Sequence, residues 1–360
     1  MNFISICSGI DAASVAFNPL GWKAVAFSEI EPFPSAVLKH HYPTVPNFGD
    51  MTKFKDWPEE VFITADAIVG GPPCQSFSTA GQRAGLTDSR GNLTLTYVEL
   101  INYADSIRIR HGKPPVIILY ENVPGLLSDK TNAFGCFLAG LAGEDDPYIS
   151  AGEKWSVAGC VFGPIRTVAW RVLDAQYFGL AQQRRRVFVV SSARAGFDPS
   201  AVLFEFDGLR RDSAPSIKDW KNSTPGATSG VTSSDSECTS CSNTVGFHPI
   251  AFPWQSGFDP IGRPGHISGT LIKNQVMGCM DAAKRVRRLT PMECERLQGF
   301  DDNYTKIPYG NKSASDCPDG PRYKALGNSW AVPNVHWIGA RIDAHLREIT
   351  ATTGCKLVAN

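Results

Sequence analysis

Six short apolar runs in the first two hundred residues, separated by stretches of helical character and by Gly/Pro turns, constrain this chain more than any other feature. Phe3–Cys7, Lys23–Phe27, Ala67–Val69, Val116–Tyr120, Thr167–Leu173 and Val187–Ser191 have the length and composition of buried strands. Between them, Ala12–Asn18, Pro32–His41, Leu95–Arg110 and Asn132–Leu141 read as helices. Strands alternating with helices predict a parallel sheet covered on both faces, because each crossover helix buries its apolar stripe on the sheet it leaves. Ligands of such open α/β sheets bind outside the carboxyl ends of the strands, so the residues just after each run are the candidates for chemistry.

The pattern stops near Arg194. Asn222–Thr244 reads NSTPGATSGVTSSDSECTSCSNT, which has almost nothing to place in a core and is expected to be a mobile surface loop. From Val245 to Met280 the chain is rich in Gly, Pro and aromatic residues without helical period, as in a small, irregular, mostly β second domain. Helical character returns at Thr290–Gln298 and Pro333–Ile349. The expected division is therefore a sheet domain over 1–200, a second domain over 201–286 and a return over 287–360.

Composition narrows the function classes. The 35 basic and 35 acidic side chains among 360 residues cancel, so the protein does not hold polyanions by bulk charge, and any nucleic-acid contact must be a local basic site. No apolar run approaches the roughly 20 residues of a membrane helix, and MNFISICSGI lacks the basic start and long apolar stretch of a secretory leader. A cytoplasmic protein is expected. The ten cysteines form no framework, and Cys238 with Cys241 is a single CxxC without the second pair that structural zinc needs, so no metal site is expected.

The residues after the strands are unusual. GGPPCQSFS follows Ala67–Val69 and sets Cys74 on a Pro-Pro turn at a strand's carboxyl end, a nucleophile's position. ENVPG follows Val116–Tyr120, so Glu121 projects from the same presumed edge. In QQRRRVFVV, Arg184 and Arg186 alternate toward one face ahead of the strand beginning at Val187. Each alone has an ordinary explanation: a cysteine buried in a turn, a carboxylate cap, a solvated edge. It is their grouping at one sheet edge that points to catalysis.

In these strings the chain resembles the DNA cytosine-5 methyltransferase family, of the bacterial and phage type in which one chain carries both catalysis and target recognition. The resemblance spans nearly the whole length in one order: SGIDAASVAF, SEIEPF, GDM, GGPPCQSFS, DSRGNL, ENVPGLLS, DAQYFGLAQQRRRVFVV, RRLTPMECERLQGF and RYKALGNSWAVP. It implies a Rossmann-like S-adenosylmethionine-dependent methyltransferase sheet with helices on both faces, plus a smaller target-recognition domain. Residues 1–200 would then be catalytic and cofactor-binding, and 287–360 a hinge and a C-terminal helix returning to them.

By the same resemblance, Cys74 is the thiolate that adds to carbon 6 of cytosine, and Glu121 binds ring nitrogen 3 and the exocyclic amine. Burial against the base would favour the protonated form of that carboxyl. Arg184 or Arg186 would favour the thiolate. The target base must be flipped out of the duplex, with Gln75 to Leu95 as the closing loop. The cofactor set is Cys7, Ser8, Gly9 and Ile10 after the first strand, Glu29 and Ile30 for ribose and packing, Asp50 and Met51 for the adenine, Pro72, and Asn328 with Ser329 toward the methionine part. Cys7 stands where the family has an aromatic residue, and Asp11 with Ala12 where it has a glycine pair.

S-adenosylhomocysteine would be the product, with no metal involved. The implied partner is double-stranded DNA, with no membrane. Arg210, Arg211, Lys284, Arg285, Arg287 and Arg288 are expected on phosphates, and Gly265–Gln275 resembles the family's recognition element. A monomer is expected, and functional pairing with a restriction endonuclease is left open. Two rival readings are a tRNA cytosine-5 methyltransferase, whose Cys-Phe-Thr element is absent, and a catalytically inactive DNA-binding regulator, against which intact Cys74, Glu121, Arg184 and Arg186 argue.

Overall fold

A computed structural model describes residues 1–72, 93–205, 251–253, 277–280 and 286–358. The Cys74 turn, most of the loop after it, the 222–244 stretch, Gly265–Gln275 and the basic residues at 210, 211, 284 and 285 lie outside the described residues. The chain divides into two units, one of Met1–Leu173, Arg185–Arg210 and Asn334–Asn360, the other of Asp174–Arg184 and Arg211–Pro333.

The first unit is built on seven strands: β1 (Asn2–Ile6), β2 (Lys23–Ser28), β3 (Ala67–Gly70), β4 (Ile117–Asn122), β5 (Ala158–Phe162), β6 (Thr167–Asp174) and β7 (Arg185–Ser192). Their order in the sheet is β2-β1-β3-β4-β7-β6-β5. The chain moves outward from β1 to β2 and then returns to β3 on the other side, so the topological switch point lies between β1 and β3.

β1, β2, β3 and β4 pair in parallel, but β7 runs antiparallel to β4, and β5 antiparallel to β6. The sheet is therefore mixed rather than parallel throughout. The reason lies in the connections. Parallel neighbours need a crossover of about a dozen residues or more, usually a helix. β5 and β6 are joined by a hairpin turn closed by Gly163 N–H donating to Arg166 O at 3.2 Å, and only a short 3-10 turn, Ala175–Phe178, stands between β6 and β7.

Side-chain alternation gives the sheet two apolar faces. Ile4, Ile6, Ile68, Ile118, Val187 and Val189 share one core. It also takes in residues of α3 (Glu59–Thr64), α4 (Leu93–Arg110) and α5 (Ala133–Ala142). The Tyr120 ring from β4 lies 4.3 Å from that of Phe137 and 5.7 Å from that of Tyr97. On the opposite face Phe3 meets Phe17 of α1 (Ala12–Phe17) edge-on at 5.3 Å, and Phe17 lies 4.4 Å from Trp22.

Two more helices of this unit are α2 (Pro32–His41) and the short α6 (Pro199–Leu203). The long α9 (Val332–Val358) closes the unit from the far end of the sequence. Trp22 Nε1 donates to the Asp343 carboxylate at 3.0 and 3.1 Å, and His336 Nδ1 lies 2.8 Å from Ala16 O. A Cβ at Gly339 would fall 2.6 Å from the Phe17 ring, which is why the helix can lie this close.

Gly70, the last residue of β3, faces a stricter limit. A Cβ there would sit 2.5 Å from Ile6 O and 2.9 Å from Ile6 Cβ on the neighbouring strand. Because a backbone carbonyl in a ladder cannot swing away, Gly70→Ala is expected to cost on the order of 2–3 kcal/mol and to lower the melting temperature by roughly 5–10 °C. Differential scanning calorimetry tests this, and an unchanged Tm would mean that β1 and β3 separate easily at this end.

In the second unit, α7 (Pro291–Gln298) opens with a capping box between Thr290 and Glu293 and is followed by α8 (Asp319–Asn328). Glu295, fully buried, accepts from Asn303 N–H, Thr305 N–H and the Arg322 guanidinium. The strands β8 (Ala251–Pro253), β9 (Met277–Met280) and β10 (Val286–Arg288) form an antiparallel sheet of order β10-β9-β8. Among the described residues no helix is long and apolar enough to cross a membrane.

Candidate active site

The loop after β1 twists sharply. Cys7, Gly9 and Asp11 have φ of 49°, 57° and 56°, three left-handed residues within five positions. Only Gly9 adopts this without the steric cost of a Cβ, and its missing side chain would project into open space with nothing within 4 Å. Ser8 ties the loop to β2, accepting from Ser28 N–H on Oγ and donating its own N–H to Ser28 O, both at 3.2 Å.

The Glu29 carboxylate then bridges two strand exits, accepting from Gly9 N–H at 2.8 Å and from Glu31 N–H at 2.7 Å. Asp50 caps a 3-10 segment, Met51–Asp56, by accepting from Thr52 N–H at 2.9 Å. The Cys7 thiol lies 3.7 Å from Met51 Sδ. Burial, and after it the negative charges of Glu29 and Asp50, push that thiol up to about 12, so it stays a neutral packing group. Ile30 exposes 72% of its surface beside Glu29, whereas Ile10 is fully buried and Met51 nearly so. Ile10 and Met51 therefore support the loop from beneath, and Ile30 offers an apolar face above it.

These residues fit a nucleoside. A cradle at Gly9 that a Cβ would occupy, two carboxylates suited to hydroxyl and amino donors, and an exposed aliphatic wall are what an adenosine moiety requires.

Asp11 adds a titratable group below the loop. It is 1% exposed, accepts from Ser5 Oγ at 3.1 Å, and burial outweighs its Ser14 and Ser5 hydrogen bonds to raise its carboxyl from 3.8 to about 6. A carboxyl whose folded pKa is raised binds its proton more tightly when folded. Its contribution is therefore most favourable below about pH 4 and is lost as pH rises toward 6. Asp11→Asn keeps an acceptor for Ser5 without the buried charge. The variant is expected to gain about 2–3 kcal/mol over the parent at pH 7.5 but little at pH 4. Chemical denaturation at the two pH values checks it; equal differences at both would show that Asp11 does not titrate.

The second cluster forms where β3 ends with Gly70 opposite Tyr120 and β4 continues two residues further, through Glu121 to Asn122. Glu121, 8% exposed, pairs with Arg186, Nε to Oε1 3.0 Å. The antiparallel β7 makes this contact: Glu121 stands opposite Phe188, so the beginning of β7 reaches the carboxyl end of β4. Asn122 donates from Nδ2 to Pro72 O at 3.3 Å and to the Tyr120 hydroxyl at 2.6 Å, while its Oδ1 accepts from Val123 N–H at 2.8 Å. Asn122 thus fastens the chain leaving β3 to the residue beside Glu121. Neither Asn122 nor Tyr120 is among the sequence-derived candidates. Pro72 is buried, and Cys74 lies outside the described residues.

Arg184 and Arg186 have different partners. The Arg184 guanidinium, 2% exposed with its residue, donates to Gly327 O at 3.1 Å and Ser329 O at 2.5 Å, and its N–H donates to the Asp174 carboxylate at 2.9 Å. Arg184 thereby holds the carboxyl end of α8, where Asn328 is exposed and Ser329 buried. Arg287 is bound to the Glu293 carboxylate by two hydrogen bonds of 2.7 and 2.8 Å. Burial alone would raise the Glu293 carboxyl, but Arg287 and Thr290 hold it below the usual range. Among the described residues no group of three or more His, Cys, Asp or Glu side chains is arranged to hold a metal ion.

The mixed seven-stranded sheet, its switch point and the acidic group at the exit of β2 define a Rossmann-like methyltransferase. More narrowly, the chain belongs to the C-5 cytosine-specific DNA methylase family, whose model matches residues 1–344. It is 39% identical, over 94% of its length, to a protein of Escherichia phage P1 named DNA N-6-adenine-methyltransferase, and spans 60% of that relative. It is 29% identical to the type II methyltransferase M.NgoPII of Neisseria gonorrhoeae, over 96% of both chains. The solved structure of S. pombe Dnmt2 methyltransferase shares the fold with a TM-score of 0.59 at 16% identity, covering 96% of this chain and 99% of that one.

Proposed function

We propose that this protein transfers a methyl group to carbon 5 of cytosine in duplex DNA through a covalent adduct of Cys74 with a flipped-out base. The observation that carries the reading is the carboxyl edge of β3 and β4, where β4 runs two residues past the end of β3 and places Asn122 on Pro72 O and Glu121 against Arg186. In the sequence Cys74 follows Pro72 by two residues.

The division of labour follows from the chemistry. The Cys74 sulfur forms a bond to carbon 6 as Glu121 engages nitrogen 3 and the exocyclic amine, which makes carbon 5 nucleophilic. S-adenosylmethionine, which Gly9, Glu29, Ile30 and Asp50 would hold, would supply the electrophilic methyl group and leave as S-adenosylhomocysteine. Loss of the carbon 5 proton then expels the Cys74 sulfur and restores the aromatic ring. Arg186 orients the Glu121 carboxylate throughout, and Arg184 keeps the Asn328–Ser329 turn in place. Relatives named type II methyltransferases support a modification role alongside a restriction endonuclease.

The name of the phage P1 relative favours one other reading, methylation of adenine N6. Direct transfer to an exocyclic amine needs no thiolate, so it leaves the Pro-Pro-Cys turn without a use. Duplex DNA and tRNA, each incubated with the protein and radiolabelled S-adenosylmethionine, digested to nucleosides and resolved by mass, decide the matter. Labelled 5-methylcytosine from DNA is the expected product; N6-methyladenine or label in tRNA alone overturns the proposal.

A further inference from the structure

The segment 46–50 runs beside the open edge of β2. Phe27 N–H donates to Pro46 O at 2.8 Å, and Phe48 N–H to Phe27 O at 2.9 Å. At the next step the main chains part, and the Asn47 side chain takes over. Its Oδ1 accepts from Glu29 N–H at 2.9 Å while its Nδ2 donates to Glu29 O at 3.0 Å, so one carboxamide satisfies both backbone groups of Glu29 as a paired strand would. The same Oδ1 accepts from Gly49 N–H at 3.1 Å, and the same Nδ2 donates to Ser35 Oγ at 3.2 Å. Ser35 Oγ in turn donates to Glu29 O at 3.1 Å, and Ser28 Oγ to Gly49 O at 2.6 Å.

Both hydrogens of the amide are used, and its oxygen accepts twice. Of its partners, Glu29 is one of the two acidic candidates for the nucleoside, and Gly49, at φ 72°, is the residue before the other, Asp50. Asn47 is exposed, belongs to no helix or extended strand, and buries no apolar surface worth retaining. Its four hydrogen bonds serve to lock two carboxylate-bearing backbones at a fixed spacing. Carboxylate in place of carboxamide could not donate to Glu29 O, and would add a third negative charge to a site already holding Glu29 and Asp50.

We infer that Asn47 is a positioning residue for cofactor binding, setting the distance between the ribose-binding carboxylate of Glu29 and the adenine-binding carboxylate of Asp50. This rests on the cofactor reading given above. Preorganisation of this kind acts on affinity, since a ligand that must order Glu29 and the Gly49–Asp50 turn on arrival binds less tightly. It does not act on the transfer step, whose groups lie at the ends of β3 and β4.

Titration calorimetry of the full chain with S-adenosylhomocysteine is the test. Glu29→Ala is expected to weaken binding by about 10- to 100-fold, and Asn47→Ala by about 5- to 20-fold, as losses of direct and of supporting hydrogen bonds respectively. Asn47→Asp, which can no longer donate to Glu29 O and adds a negative charge beside Glu29 and Asp50, should lose at least as much as Asn47→Ala. The effects of Asn47→Ala and Glu29→Ala should be less than additive in the double variant, because one acts partly through the other. In steady-state assays Asn47→Ala should raise KM for S-adenosylmethionine while leaving kcat and the KM for DNA within about twofold, the pattern of lost uniform binding. Undiminished affinity in Asn47→Ala beside a weakened Glu29→Ala overturns the role of Asn47 alone, as does full additivity. A parent protein that binds no S-adenosylhomocysteine overturns the cofactor reading, and this inference with it.

Discussion

Cys74→Ser is expected to reduce methyl transfer by at least about a thousandfold, because a serine hydroxyl is far less ionised and less nucleophilic than a thiol at neutral pH. The diagnostic is a substrate that cannot finish the reaction. In DNA carrying 5-fluorocytosine at the target, sulfur addition and methyl transfer proceed, but carbon 5 has no proton to lose and the sulfur cannot be expelled. The parent should therefore give a denaturation-resistant protein–DNA adduct, and Cys74→Ser none. S-adenosylhomocysteine affinity should be unchanged in the variant, which separates a lost nucleophile from a misfolded chain. An adduct of undiminished yield would move the nucleophile to another residue.

Glu121→Gln is the second large effect. Positioned proton donors and acceptors contribute about 10²- to 10⁴-fold, and a fall in kcat of that order is expected. Stability provides an independent check, because the Glu121 and Arg186 side chains are only 10% and 13% exposed. Removing one partner leaves a poorly solvated charge, at a cost of about 3–5 kcal/mol, whereas replacing both by uncharged groups of similar shape costs far less. Arg186→Met alone and Glu121→Gln alone should both lower the midpoint of chemical denaturation, and the double variant should recover most of it while remaining inactive. A fully active double variant would show that the pair is structural only.

The sequence made β1 to β4, β6 and β7 legible because each is built on a short, mostly apolar run, and α2 matches its expected span residue for residue. β5 was not legible. Ala158–Phe162 lies at the sheet edge with four half-buried residues and an exposed Phe162, and Gly159 is there because any Cβ would strike the Trp170 ring at 2.3 Å. The strand's residues are apolar, but Gly159 and Cys160 at its centre are not the β-branched or aromatic side chains that mark a strand. α3, six residues long, is too short for a helical period to show. The direction of β7 was also hidden, since a strand's own residues do not encode the polarity of its neighbour.

The site divides in the same way. Glu29, Asp50, Glu121 and Arg186 stand in recognisable strings, and the structure puts Glu29 on Gly9 and Arg186 on Glu121. Arg184 was grouped with Arg186 from their spacing, but its guanidinium lies on the Gly327 and Ser329 carbonyls at the carboxyl end of α8. Asn47, Asn122 and Asp174 carry no pattern a sequence can display, because each acts by hydrogen bonds to a backbone whose position only the tertiary fold sets.

The closing helix α9 gives the first unit a particular order of manufacture. Phe17 and Trp22 receive Gly339 and Asp343 as neighbours only when α9, made far later than they are, has left the ribosome. At about 5–20 residues per second, the translation of the intervening second unit takes on the order of ten seconds or more. During that interval the apolar face of α1 is open to solvent and to chaperones. Emergence of α9, rather than completion of the sheet, is thus the event that seals this domain, and a chain interrupted before α9 leaves that face uncovered and open to degradation.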